Sequence, residues 1–216
     1  VAVSVEENGR LMMKPILFTT GLVVALSLSG CKLVKTQSAE EAAVDPIATL
    51  VSETFDAKLV PALSEKAVDL SALHDAVKAG LDDAGAKYGL RVGGAGGGWN
   101  FAVKGKGKVV AENRASKAAV ADVDLDGDGT ADVTLQLGPV VKGSALRDAT
   151  ALYDFSAFRD QIEYARLGRA LNDRAVSALS AGSALNGKTV QFVGATVLRS
   201  AGEKPLVTPV SIEVVP

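Results

Sequence analysis

The sequence predicts an α+β fold in which two helices precede a β-barrel that carries one long helix of its own. Three observations point to it. Apolar residues recur at helical spacing between 46 and 88, six short stretches after residue 98 alternate like half-buried strands, and an amphipathic stretch from Ser156 to Leu179 separates the fourth of those strands from the last two. The corresponding division is 1–30 as a signal peptide, 31–45 as anchor and tether, 46–92 as a small helical subdomain, and 93–216 as the barrel with helix 156–179 inserted.

Pro15 to Leu28 follows Lys14 almost without polar side chains, and Leu28-Ser29-Gly30-Cys31 ends the run with small residues before the only cysteine. A charge, an apolar run and small residues make the layout of a secretory leader. About fourteen apolar residues fall short of the roughly 20 needed to cross a bilayer as a helix. Leu-Ser-Gly-Cys also resembles the lipobox of bacterial lipoproteins, which implies a diacylglycerol thioether and an N-acyl lipid on Cys31 after removal of the leader. Acylation leaves no thiol for a disulfide. Residues 1–11 lack the pattern of a leader, so translation is expected to begin at Met12 or Met13. Lys32 to Val44 is polar and alanine-rich, as suits a tether reaching some tens of ångströms at about 3.3 Å per residue.

Asp45-Pro46 reads as a helix start, with Asp45 as N-cap and Pro46 in the first turn. Ile47, Leu50, Val51, Phe55 and Leu59 continue at helical spacing, and Pro61 is expected to stop or kink the helix. A second helix opens at Asp69 or Ser71, carries Leu73, Val77, Leu81, Ala84 and Tyr88 on one face, and ends at Gly89. His74, the single histidine, lies beside that stripe with no second histidine or cysteine to complete a zinc site. Gly93 to Gly98 lacks the Lys-Ser/Thr of a phosphate loop and reads as a flexible joint.

The β part begins with Trp99, Phe101 and Val103 in alternation, bends at Gly105-Lys106-Gly107 and resumes from Lys108 to Glu112. Trp99 is a candidate sugar-stacking platform, with core packing as the competing use. Ala118–Val123 and Val133–Leu137 form a pair, and Gly138-Pro139 ends the second strand. Arg147 and Asp148 are candidates for holding a ligand carboxylate or sugar, or for a structural ion pair. The helix from Ser156 sets Tyr164, Leu167, Leu171, Ala175 and Leu179 opposite a charged side. Thr189–Leu198 and Leu206–Val215 complete the strands; both faces of the former are apolar or small, which suits a closed or nearly closed barrel.

Asp122 to Asp132 is the most chemically loaded stretch. From Asp124 it follows Asp-x-Asp-x-Asp-Gly-x-x-Asp, so Asp124, Asp126, Asp128, Thr130 and Asp132 can turn oxygens toward one centre. Hard oxygen donors without histidine or cysteine select Ca²⁺. Crowded carboxylates repel one another unless a cation or solvent offsets them. Counted from Asp122, an EF-hand would need Glu at its twelfth position and finds Val133, so that motif is excluded. A solvated, metal-free Asp/Gly turn is the competing reading.

A formal net charge of −2, unchanged by removal of residues 1–30, presents no strongly basic face, which excludes nucleic acid as a partner. No Gly-x-Ser-x-Gly frame and no nucleophile–base pair are evident, so an enzyme is not expected.

Together, the lipobox, Trp99-Asn100-Phe101 with Val103 to Gly107, the loop Asp122 to Asp132, Gly138-Pro139-Val140 with Gly143 to Asp148, and Gln161-Ile162-Glu163 leading into Ala170-Leu171-Asn172 resemble a family of predicted periplasmic lipoproteins classed only as a domain of unknown function. The resemblance implies a helical part beside an OB-like antiparallel barrel, and genes often lying near sugar-uptake ABC transporters. It carries no catalytic residues. The resulting expectation is a membrane-anchored periplasmic accessory module that binds a ligand or partner, its partner being a sugar ABC transporter or its binding protein. The alternatives are a structural envelope lipoprotein stabilised by a Ca²⁺ loop, and a hydrolase using Asp carboxylates. Lys32 after the cysteine favours the outer membrane over the inner in a Gram-negative cell.

Overall fold

The computed structural model describes residues 45–94, 96–177, 179 and 182–216. The leader, Cys31 and the tether lie outside the described residues. Helix α1 (Pro46–Thr54) is capped as the sequence predicts, the Asp45 carboxylate accepting the Ile47 N–H at 3.0 Å. It does not stop near Pro61. A π turn at Phe55–Leu59 leads into α2 (Val60–Lys66), and the Val60 N–H reaches back to the Phe55 carbonyl. That wider turn puts Pro61 at the start of a new helical segment, where its missing N–H costs little.

Strand β1 (Val68–Asp69) follows, then α3 (Leu70–Ala79), whose Ser71 and Ala72 N–H groups donate to Asp69. The single helix expected from Asp69 or Ser71 to Tyr88 is in fact two. Gly80 is extended, at φ 172° and ψ 116°, between α3 and α4 (Leu81–Tyr88). The break falls at the residue that loses most conformational freedom in a helix. Strand β2 (Gly89–Arg91) then pairs antiparallel with Trp99 to Phe101, so Gly93 to Gly98 links two paired strands and not two separate bodies.

Strand β3 (Trp99–Asn113) runs without the bend expected at Gly105 to Gly107. Those glycines make room for neighbours. A Cβ at Gly107 would lie 2.2 Å from the Asp124 carbonyl oxygen, and one at Gly105 would lie 2.7 Å from Phe192. The length of β3 lets it serve two partners. Trp99 to Lys108 pairs antiparallel with β6 (Thr189–Leu198), and Lys108 to Asn113 with β4 (Ala118–Asp124). From β4 the pairing passes to β5 (Val133–Pro139), then to β7 (Leu206–Val215), and through β6 back to β3. This is the strand order of an OB-like barrel. It is not wholly antiparallel: β5 meets β7 in parallel through Thr134–Leu206 and Leu135–Val207, and β1 is parallel to β3.

Two cores result. Phe101, Val103, Val123, Leu135, Phe192 and Val207 fill the barrel interior, with Leu70, Leu73 and Val77 of α3 packed into the same cluster. On the other side, Ala102 and Ala195 face Ile47, Phe55, Leu59 and Leu63, together with Leu146 of a short helix, α5 (Ala145–Asp148), and Leu167 and Leu171 of α6 (Gln161–Ser177). Successive β3 residues thus enter different cores, which explains why its faces carry no polar side chain from Phe101 to Val103. Helix α6 begins five residues after the predicted Ser156. Asp154 caps a 3-10 turn at Phe155–Ala157, and Asp160 takes the Glu163 N–H at 2.8 Å. Among the described residues no helix is long and apolar enough to cross a membrane.

Candidate functional site: the acidic loop and its cleft

The loop between β4 and β5 is organised by its own carboxylates. Asp124, almost wholly buried, accepts the Gly127 N–H at 2.7 Å and the Gly129 N–H at 2.8 Å, one on each oxygen. Asp126 accepts from Asp128, Asp128 from Thr130, and Asp132 from Leu125 at 2.7 Å. Gly127 and Gly129 both have φ of 87°, the left-handed region that glycine enters without strain. The Gly127 and Gly129 donors hold the Asp124 carboxyl below the usual carboxylate range. Much of the repulsion that made the sequence look like an ion site is therefore offset by backbone N–H dipoles. Of the five expected ligands, Asp124, Asp126 and Asp128 bring one oxygen each within 4.8 Å of one another. Asp132 is turned toward Leu125, and Thr130 engages Asp128 through its backbone.

The loop forms one wall of a cleft of about 560 Å³. Leu125, Asp126, Ala131 and Asp132 face His74, Asp75 and Lys78 of α3, and the turn from Ala201 to Pro205 between β6 and β7 closes the third side. Four carboxylates (Asp75, Asp126, Asp132, Glu203) and two ammonium groups (Lys78, Lys204) line it. Lys204 also bonds Asp122 at 3.0 Å. Burial pushes the Asp122 carboxyl up, but bonds from Thr134 and Lys204 outweigh it and leave the group below its ordinary range. Sequence reasoning missed this assembly. His74 is exposed, as expected of a surface histidine, but α3 is brought beside the acidic loop by the β1–β3 pairing and by its packing on the barrel core, both between distant segments.

The other candidate residues lie elsewhere. Trp99 does not offer an open stacking surface: its ring lies against Gly85, where an added Cβ would sit 2.1 Å from Cδ2, and the Arg91 guanidinium stacks on it 4.3 Å from the ring centroid. Its Nε1 donates to Asp82 at 2.9 Å. That bond, with the Arg91 ion pair, lowers the Asp82 pKa. Arg147 and Asp148 form a two-pronged pair at 2.7 and 2.9 Å, largely buried, instead of an open anion or sugar site. Ser144 and Arg147 both donate to Asp148, Arg147 also donates to the Tyr164 carbonyl at 2.9 Å, and its guanidinium lies 3.7 Å from the Tyr164 ring centroid. Burial raises the Tyr164 phenol above its ordinary range. This network fastens α5 to α6.

Barrel order, a helix between its third and fourth strands, and a cleft beside the turn joining its last two define an OB-fold module. A crystal structure of an OB-fold protein from Thermotoga maritima superposes with a TM-score of 0.61 at 18% identity, covering 78% of this chain and 97% of that one. No curated protein matches. The chain belongs to the family described as predicted periplasmic lipoprotein (DUF2291), a domain of unknown function, whose model matches residues 21–213. Membership supports a periplasmic, lipid-anchored location with the lipid on the cysteine.

Proposed function

We propose that this chain is a non-catalytic accessory lipoprotein that presents the cleft between α3, the acidic loop and the Ala201–Pro205 turn to a ligand or partner of a sugar-uptake ABC system. The observation that carries the reading is the cleft. OB-folds bind ligands with the loops that join barrel strands, including the loop between the fourth and fifth, and the Ala201–Pro205 turn occupies that place. Adjacent carboxylates and ammonium groups suit polyhydroxylated ligands, which donate and accept hydrogen bonds together. Ca²⁺ on Asp124, Asp126 and Asp128 is part of the proposal, as a clamp on the loop; extracellular Ca²⁺ sites work at weak affinity. Lys32 after the acylated cysteine favours the outer membrane.

The test uses acylated protein in detergent, titrated calorimetrically with mono- and oligosaccharides with and without Ca²⁺, beside a pull-down from native membranes. Sugar binding lost in Lys78→Ala or Asp75→Ala, or recovery of a transporter component, supports the reading. Neither sugar heat nor a transport protein overturns it. Absence of Ca²⁺ heat removes the clamp alone.

A further inference from the structure

We propose that the barrel mouth between the ends of β5 and β7 is a binding site separate from the cleft, and that it takes a single alkyl chain ending in a carboxylate, a medium-chain fatty acid. The opening follows from the strand pairing. β5 and β7 are joined only at Thr134–Leu206 and Leu135–Val207. Gln136, donating through Nε2 to Thr208 Oγ1 at 2.9 Å, ties them once more before they part. The cleft lies at the turn of the β6–β7 hairpin. At the hairpin's other end, where Thr189 pairs with Val215, the parted strands border a cavity of about 330 Å³.

Its chemistry is unlike that of the cleft. Leu137, Leu179, Leu185, Ile212 and Val214 line it, with Arg114 and Lys188 and no carboxylate among the described lining residues. Leu137 and Leu185 belong to the barrel core and Ile212 packs against it, so the cavity opens onto apolar side chains; Val214, 53% exposed, continues that wall into water. Barrel mouths are a recurrent place for ligands, and this volume is at the small end of ligand cavities, about 300–1,000 Å³. One alkyl chain fits such a space and gains by leaving water. Charge decides the head. Arg114 is tied to Glu112, whose carboxylate also takes the Leu185 and Asn186 N–H groups, so that positive charge is largely balanced. The Lys188 side chain is exposed and its ammonium group has no partner among the described residues. Glu213, between Ile212 and Val214, alternates to the other face of β7. The uncompensated charge at the mouth is therefore positive, which favours an anionic head over a neutral or cationic one. A polypeptide strand fits less well, because Pro209 and Glu213 on β7 both oppose the addition of a strand to its edge.

The experiment uses the full acylated protein in nanodiscs of phosphatidylethanolamine and phosphatidylglycerol, with decanoic acid carrying a photoreactive diazirine on its chain. Peptide mass spectrometry after irradiation locates the adduct. The expected result is labelling concentrated on the peptides that contain Leu185 and Val214, reduced several-fold by excess decanoate but not by excess decylamine. Lys188→Glu should reduce it several-fold, and Lys188→Arg, which keeps the charge, should retain it. Lys188 is exposed, so neither replacement threatens folding. Labelling spread over the whole surface overturns the proposal. So does equal displacement by decanoate and decylamine, or a Lys188→Glu protein labelled as strongly as the parent.

Discussion

Replacing Gly85 by alanine tests the packing of α4 on the barrel, because two effects of opposite sign compete at one position. In an exposed helix interior the change stabilises by about 0.5–1 kcal/mol through helix propensity. Here the new methyl would lie 2.1, 2.3 and 2.5 Å from three atoms of the Trp99 indole. Relief requires the ring to retreat by more than an ångström, which breaks the 2.9 Å bond from Nε1 to Asp82 and disturbs the Arg91 stack. Overpacking of this kind costs about 1–3 kcal/mol, and three contacts this short with the loss of the Nε1 bond put the cost at the upper end, about 2–3 kcal/mol, which outweighs propensity and leaves a net loss of about 1–2 kcal/mol. For a domain of this size that is a fall in Tm of roughly 2–8 °C. Thermal melts followed by circular dichroism measure it, and a double-mutant cycle with Trp99→Ala isolates the contact. In the Trp99→Ala background Gly85→Ala should become neutral or stabilising. A higher Tm for Gly85→Ala alone would refute the argument.

Other perturbations follow from the same geometry. Asp148→Ala leaves Arg147 in a nearly closed site without its partner, so a loss of about 3–5 kcal/mol is expected in denaturant unfolding; a loss under 1 kcal/mol would make the pair a surface feature. Glu112 receives N–H bonds from Leu185 at 2.8 Å and Asn186 at 3.1 Å. Burial raises its pKa, but those bonds and Arg114 lower it further below 4.5. Its stabilisation is therefore present above the unfolded value and lost as pH falls through the lower folded value; Glu112→Gln should flatten the acid limb of a Tm–pH curve below about pH 4.5. Gly129→Ala, with φ of 87° and open space around the new methyl, should cost about 1–2 kcal/mol from backbone strain alone, measured by chemical denaturation.

Much of the fold was legible because it depends on local signals. Asp45-Pro46 announced a helix start, and the alternation after Trp99 announced strands. What escaped the sequence depends on distant neighbours. Gly105 and Gly107 looked like a bend, yet they are small because Phe192 and the Asp124 carbonyl press on β3 from other strands. Pro61 looked like a stop or a kink; the irregularity falls just before it, in a π turn that has no periodic signature. The acidic loop was visible as a motif, but its hydrogen bonds were not, and they supply much of the compensation that the spacing alone assigned to an ion. Trp99 and Arg147–Asp148 carried residue types common in binding sites; Gly85, Arg91 and Tyr164 bind them into the fold. The cleft was invisible because it joins three segments that strand pairing and the packing of α3 on the barrel core bring together from distant parts of the chain.

Everything proposed about partner and location depends on the sulfur of residue 31. Intact-mass and N-terminal peptide spectrometry of the protein extracted from its own membranes measures this directly. The account predicts a chain beginning at Cys31 and heavier by a diacylglycerol and one further acyl group. A free thiol at Cys31, with Pro15 to Leu28 still attached, would contradict it.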